Sequence, residues 1–87
     1  MLRISESAEA EKATLKAEGR LAGPWVPELR RTAESWLARG LRVCLDISEL
    51  TYADNEGISL LRDLRVREVR VCGASRFVAE LLEGGRR

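Results

Sequence analysis

Residues 41–61, LRVCLDISELTYADNEGISLL, change their periodicity midway, and that change decides the fold. Leu41, Val43, Leu45 and Ile47 alternate with Arg42, Cys44, Asp46 and Ser48, giving one apolar and one polar face, the pattern of a half-buried strand. Thr51-Tyr52-Ala53-Asp54-Asn55-Glu56-Gly57 is rich in residues that leave strands and cap helices, and reads as a short loop. Ile58, Leu60, Leu61 and Leu64 then move from twofold towards helical spacing, which predicts a short helix from about Gly57 to Arg65. A strand feeding a helix through a polar loop sets that loop at the strand's carboxyl end, where open α/β sheets keep their sites. Function is therefore expected around Asp54 to Gly57.

Outward from this centre, the same two periodicities recur. Leu2 and Ile4 alternate with Arg3 and Ser5 in a first strand within Met1–Ala8, and Ala13, Leu15 and Ala17 alternate with Thr14, Lys16 and Glu18 in a second. Polar Glu9–Lys12 between them reads as the turn of a hairpin. Gly19 to Pro24 holds two glycines and a proline, and marks a loop. A helix follows, with Pro24 or Pro27 in its first turn, Val26, Leu29, Ala33, Trp36 and Leu37 on one stripe, and Gly40 closing it. Glu28, Arg30, Arg31, Glu34 and Arg39 face water, and Trp36 is read as core. Val69 and Val71 alternate with Arg70 and Cys72 in a fourth strand ending at Gly73, and Ser75 is the N-cap of a last helix carrying Phe77, Val78, Leu81 and Leu82.

The order ββαβαβα with right-handed crossovers gives a four-stranded mixed sheet: three parallel strands and one antiparallel edge strand. With the helices on one face, Ala13, Leu15, Ala17, Val43, Leu45, Ile47, Val69 and Val71 point inward. Thr14, Lys16, Glu18, Arg42, Cys44, Asp46, Arg70 and Cys72 line the other face, and their polarity keeps it wet. The fold class is accordingly an α/β two-layer sandwich and not a doubly wound sheet.

With 87 residues, the chain is long enough for a single domain, 1–87, and 45% hydrophobic content permits a core. Charged residues make up 33% but nearly cancel to +1, which argues against a nucleic-acid or membrane-surface binder. No apolar run approaches a membrane span and no leader pattern opens the sequence, so a cytoplasmic protein without membrane insertion is expected. There is no histidine, and Cys44 and Cys72 lie far apart, so neither His-based catalysis nor a zinc pattern can be drawn.

Several segments in order carry a resemblance. Gly19-Arg20-Leu21, Val26-Pro27-Glu28-Leu29, Leu45-Asp46-Ile47-Ser48, Asp54-x-x-Gly57, Val71-Cys72-Gly73-Ala74-Ser75 and Val78-Ala79-Glu80-Leu81-Leu82 resemble, from about Leu15 to Leu82, the STAS family of anti-sigma factor antagonist-like domains. The resemblance implies the two-layer fold with the hairpin at one edge, no catalysis, no cofactor, and a bacterial signalling role in transcription regulation. It implies protein–protein interaction with an anti-sigma factor of the serine-kinase type, switched by phosphorylation of a Ser or Thr just before the motif glycine. Here Glu56 occupies that phosphoacceptor position, with Asn55 before it, so the usual phosphoregulation is not expected. Glu56 is either a permanent partial mimic of phosphoserine or the mark of a lost switch. The alternative is a STAS accessory subunit of a lipid-transport ABC system, bound to the transporter ATPase. The second helix reads as shorter than the family's. The sequence ends where a fifth strand would begin, leaving Val69–Cys72 as an edge at which a homodimer could form.

The expected partner-binding surface is Arg20, Trp25, Asp54, Asn55, Glu56, Gly57 and Ser59. Plainer readings stand beside each. Asp54 or Asn55 caps the second helix, and an acidic first turn complements its dipole. Trp25 is a partner anchor or a cover for the first helix's start, the second being favoured. Arg20 and Arg76 flank the same end, and are more often solvated. Asp54 with Glu56 is poor evidence for a metal site or acid/base pair, because a third ligand and a neighbouring histidine are both missing. A nucleotide-binding or hydrolytic enzyme lacks both a phosphate-cradling loop and a nucleophile–base pair. Cys44 and Cys72, at matching depth on adjacent strands, are read as reduced thiols, with a redox pair as the other reading.

Overall fold

The computed structural model describes residues 1–73 and 78–80. The alternating segments form strands β1 (Leu2–Glu9), β2 (Lys12–Leu21), β3 (Arg42–Ala53) and β4 (Arg70–Cys72). The helical stripes form α1 (Trp25–Ala38) and α2 (Asn55–Val66). The sheet order is β1-β2-β3-β4, with β1 antiparallel to β2 and the other neighbours parallel. This is the expected arrangement of three parallel strands and an antiparallel edge.

Ala13, Leu15, Ala17, Val43, Leu45 and Ile47 are buried on the inner face and join Val26, Leu29, Ala33, Ile58, Leu60, Leu61 and Leu64 from the two helices in one core. Each fully buried leucine stabilises the fold by roughly 1.5–3 kcal/mol. Across the open face, Thr14, Lys16, Glu18, Cys44 and Asp46 are half-buried and Arg42, Arg70 and Cys72 exposed. Arg30 pairs with Asp63 at 3.0 Å and Arg67 with Glu34 at 2.9 Å, linking α1 to α2. These pairs fix orientation more than stability, because all four side chains remain substantially exposed.

Four local readings need correction. β3 does not end near Ser48 but continues through Thr51-Tyr52-Ala53, the stretch read as loop. Its register against β2 slips twice, between Lys16 and Glu18 and between Gly19 and Arg20, so alternation is broken while pairing persists. Gly19 accommodates the second irregularity with φ +105°, in a place where a Cβ would stand 2.5 Å from the Met1 carbonyl oxygen. α2 begins at Asn55, two residues before Gly57, and is 12 residues long. Trp36 lies at the rim of the core, not within it: its indole N–H donates to Glu6 at 2.9 Å and Arg39 stacks on the ring at 4.7 Å. There α1 overhangs the polar half of β1, so the ring keeps a polar partner. β4 starts at Arg70, and Val71 is only half-buried because β4 is the edge.

Pro24 is the N-cap residue of α1, and Gly40, at φ +82°, follows its end as expected. Residues 78–80 are helical with Val78 buried. Ser75 as an N-cap and Phe77, Leu81 and Leu82 as a stripe fall outside the described residues.

Candidate functional site at the mouth of the second helix

The site is built by Asp54, the residue between β3 and α2. Its backbone is extended, which is what an N-cap requires, and its carboxylate Oδ1 accepts the Gly57 N–H at 2.7 Å. Oδ2 accepts the Gly23 N–H at 3.1 Å, across 31 residues of sequence. The Asp54 N–H donates to the Leu21 carbonyl at 3.1 Å. One side chain thus caps α2, ties down the loop after β2, and joins the ends of β2 and β3.

Gly57 is buried in the first turn of α2 for a steric reason. A Cβ there would meet the Leu21 carbonyl oxygen at 2.6 Å and Leu21 Cγ at 3.0 Å. The Asp-x-x-Gly motif is therefore a joint: the carboxylate caps the helix, and the missing side chain lets the helix close on β2.

Asn55 and Glu56 occupy the first two positions of α2, and both are exposed, as is Ser59 one turn further along Glu56's face. The Asn55 and Glu56 side chains make no hydrogen bond or ion pair among the described residues. A carboxylate in the first turn is favoured by the helix dipole, by about 0.3–1 kcal/mol. The helix mouth thus holds Asp54 in internal hydrogen bonds and presents Asn55, Glu56 and Ser59 outward.

Trp25 opens α1 just after the Gly23 loop that Asp54 holds, and packs half-buried against the core. This geometry matches the covering role, while its indole N–H keeps no hydrogen-bond partner among the described residues. Arg20 is exposed, and its guanidinium lies 4.5 Å over the Tyr52 ring, not beside Asp54 or Glu56. Arg76 lies outside the described residues.

The contacts that Tyr52, Leu21 and Gly23 make at this end were not legible. Tyr52 pairs with Arg20 only after the two register slips, and Gly23 reaches Asp54 through the fold. The isolated cue was Gly23 itself, a glycine before Pro24-Trp25 that leaves a backbone N–H open to a cap.

Two surface depressions lie elsewhere. One is lined by Ser7, Glu9, Ala10, Glu11, Lys12, Thr14 and Arg42, around the hairpin turn; the other by residues including Leu37, Gly40, Arg67 and Arg70, where the helices end. Among the described residues no three His, Cys, Asp or Glu side chains gather to hold a metal. Chemically, the helix mouth offers an exposed acidic surface on a rigid base.

Known structures share this architecture. The anti-sigma factor antagonist SpoIIAA in its unphosphorylated form superposes with a TM-score of 0.70 at 16% identity, covering 93% of this chain and 82% of that one. An uncharacterised protein with a SpoIIAA-like fold from Shewanella loihica PV-4 superposes with a TM-score of 0.57 at 20% identity, covering 87% of this chain and 69% of that one. No curated protein matches the sequence. The family model described as "Mlab, STAS domain" matches residues 4–85. With the ββαβαβ order, the capped helix mouth and a match over nearly the whole sequence, the chain belongs to the STAS-domain family.

Proposed function

We propose that this protein is a binding regulator that engages another protein through the α2 mouth, in the manner of an anti-sigma factor antagonist. The observation that carries the reading is the division of labour there. Asp54 and Gly57 are consumed by the joint, whereas Asn55, Glu56 and Ser59 are exposed, and the Asn55 and Glu56 side chains have no partner among the described residues. Trp25 and Arg20 extend the surface at the same end of the sheet.

Glu56 stands where the resemblance places a phosphorylated hydroxyl. A carboxylate cannot accept a phosphoryl group from a serine kinase, and it brings one negative charge where phosphoserine brings about −1.5 to −2. The regulator is thus read as independent of the usual phosphoswitch. The proposed partner is an anti-sigma factor of the serine-kinase type, in the cytoplasm of a bacterium.

The direct trial compares wild type with Glu56→Ser against such kinases, measuring binding and phosphate transfer. Wild type is expected to bind without being phosphorylated, and the serine variant to take up phosphate. Failure of both forms to bind any kinase of this class would overturn the antagonist reading.

A second reading, the accessory subunit of a lipid-transport ABC system, is favoured by the same missing hydroxyl: a constitutive subunit needs no acceptor. Capture from cell extract separates the two. An ATPase with membrane subunits supports the second, and a sigma-factor regulator the first.

A further inference from the structure

Cys44 and Cys72, the chain's two cysteines, stand on the sheet face opposite both helices. Cys44 is half-buried on β3, and Cys72 is exposed on β4. β3 and β4 are parallel, with Cys44 paired to Arg70 and Asp46 to Cys72, so the two thiols are diagonal neighbours. Here the side chains lean together and bring the two Sγ atoms to 3.6 Å.

We propose that Cys44 and Cys72 are a dithiol that oxidises reversibly to a disulfide bridging β3 and β4, with a peroxide or a low-molecular-weight disulfide as the oxidant. With a peroxide, the Cys72 sulfur attacks one oxygen, the O–O bond breaks, and water leaves with Cys72 carried to the sulfenic acid. The Cys44 sulfur then attacks Cys72, the S–O bond breaks, and a second water leaves with the Cys44 proton. The protein loses two protons and two electrons, and the oxidant, hydrogen peroxide, is reduced to two waters. With a small disulfide, two exchange steps release two small thiols, and an excess of those thiols runs the sequence backwards.

Reversibility follows from the strand geometry. A disulfide holds its sulfurs about 2.05 Å apart, so the two Sγ atoms must close from 3.6 Å and one strand must give slightly. β4 is the strand able to do so. It has three residues, pairs on one side only among the described residues, and is followed by Gly73 at φ +77°. A bridge with one exposed sulfur, at Cys72, is open to attack by thiols and more readily reduced than a buried structural one. Oxidation thereby couples to the position of the sheet's edge, a face that the α2 mouth does not use.

Although the residue is exposed, partial desolvation of its sulfur against the sheet raises the Cys72 thiol above its ordinary range; the hydrogen bond with the Cys44 thiol and the Asp46 charge add to this, and Arg70 opposes it. Lys16 of β2 flanks Asp46 on the same face. Since the thiolate is the attacking form, the oxidation speeds up as pH rises.

The test equilibrates the full chain with reduced and oxidised glutathione, natively and in urea, and maps the products without reduction. The expected product is a bridge between residues 44 and 72. It forms at a rate independent of protein concentration, with the far-ultraviolet dichroism retained. The native chain should favour this bridge over the urea-unfolded chain by about tenfold or more, because the fold holds the two sulfurs together. Cys44→Ser and Cys72→Ser should each stop at a glutathione mixed disulfide. A native preference equal to or below that in urea, disulfides formed only between chains, or mixed disulfides without the bridge in wild type would each overturn the proposal.

Discussion

Gly57→Ala adds one methyl group where the mouth of α2 meets the end of β2. At an open helical position this substitution stabilises by about 0.8–1 kcal/mol. Here the new Cβ stands 2.6 Å from the Leu21 carbonyl oxygen and 3.2 Å from Asp54 Oδ1. The Leu21 oxygen is main chain and already accepts the Asp54 N–H at 3.1 Å, so it cannot rotate aside. α2 must instead withdraw, stretching the 2.7 Å cap from Gly57 to Asp54. Overpacking of this kind costs about 1–3 kcal/mol, and weakening a cap about 0.5–2 kcal/mol. Set against the propensity gain, the net loss is about 0.5–4 kcal/mol. For a domain of this size, each kcal/mol lowers Tm by about 4–8 °C. Urea unfolding reads the loss directly, with Ser59→Ala on the exposed face of the same helix as control, expected within about 0.5 kcal/mol of wild type. If Gly57→Ala is as stable as wild type or more so, the steric account of the motif glycine is wrong.

Other substitutions probe separate parts of the structure. Asp54→Ala removes the cap and the tie to Gly23 together and should cost about 1–3 kcal/mol in urea unfolding, with Asp54→Asn losing less because asparagine still caps. Ala10→Gly should raise Tm, since Ala10 holds φ +57° at the first position of the two-residue hairpin turn, where glycine carries no Cβ penalty. The Ser48 backbone N–H, then its hydroxyl, hold the Asp46 carboxyl below the usual carboxylate range, with Lys16 adding and partial desolvation opposing. A folded-state value below the unfolded one gives stability that is present above the unfolded value of about 3.9 and is lost as pH falls through the folded one. Asp46→Asn should therefore flatten the acid limb of the stability profile while leaving its slope near neutrality unchanged, as followed by thermal melts across pH.

The sequence by itself determined the order of the elements from β1 to β4 and most of the side chains that enter the core. Twofold and helical spacing of apolar residues are enforced locally, by where successive side chains point, so Leu15, Leu45 and Leu61 could be assigned to the interior without any partner in view. The cap at Asp54 was half-legible for the same reason, since capping is a contact over three residues. Tertiary structure decided the rest. Only the paired sheet carries β3 through Tyr52, because hydrogen bonds to β2 persist across slips that erase the alternation. Only the assembled chain sets the Leu21 carbonyl against Gly57, the Gly23 N–H on Asp54, and Glu6 beneath Trp36. Those contacts join residues some thirty positions apart, and a one-dimensional pattern holds no information on which distant backbone groups a compact chain will leave unpaired at its ends.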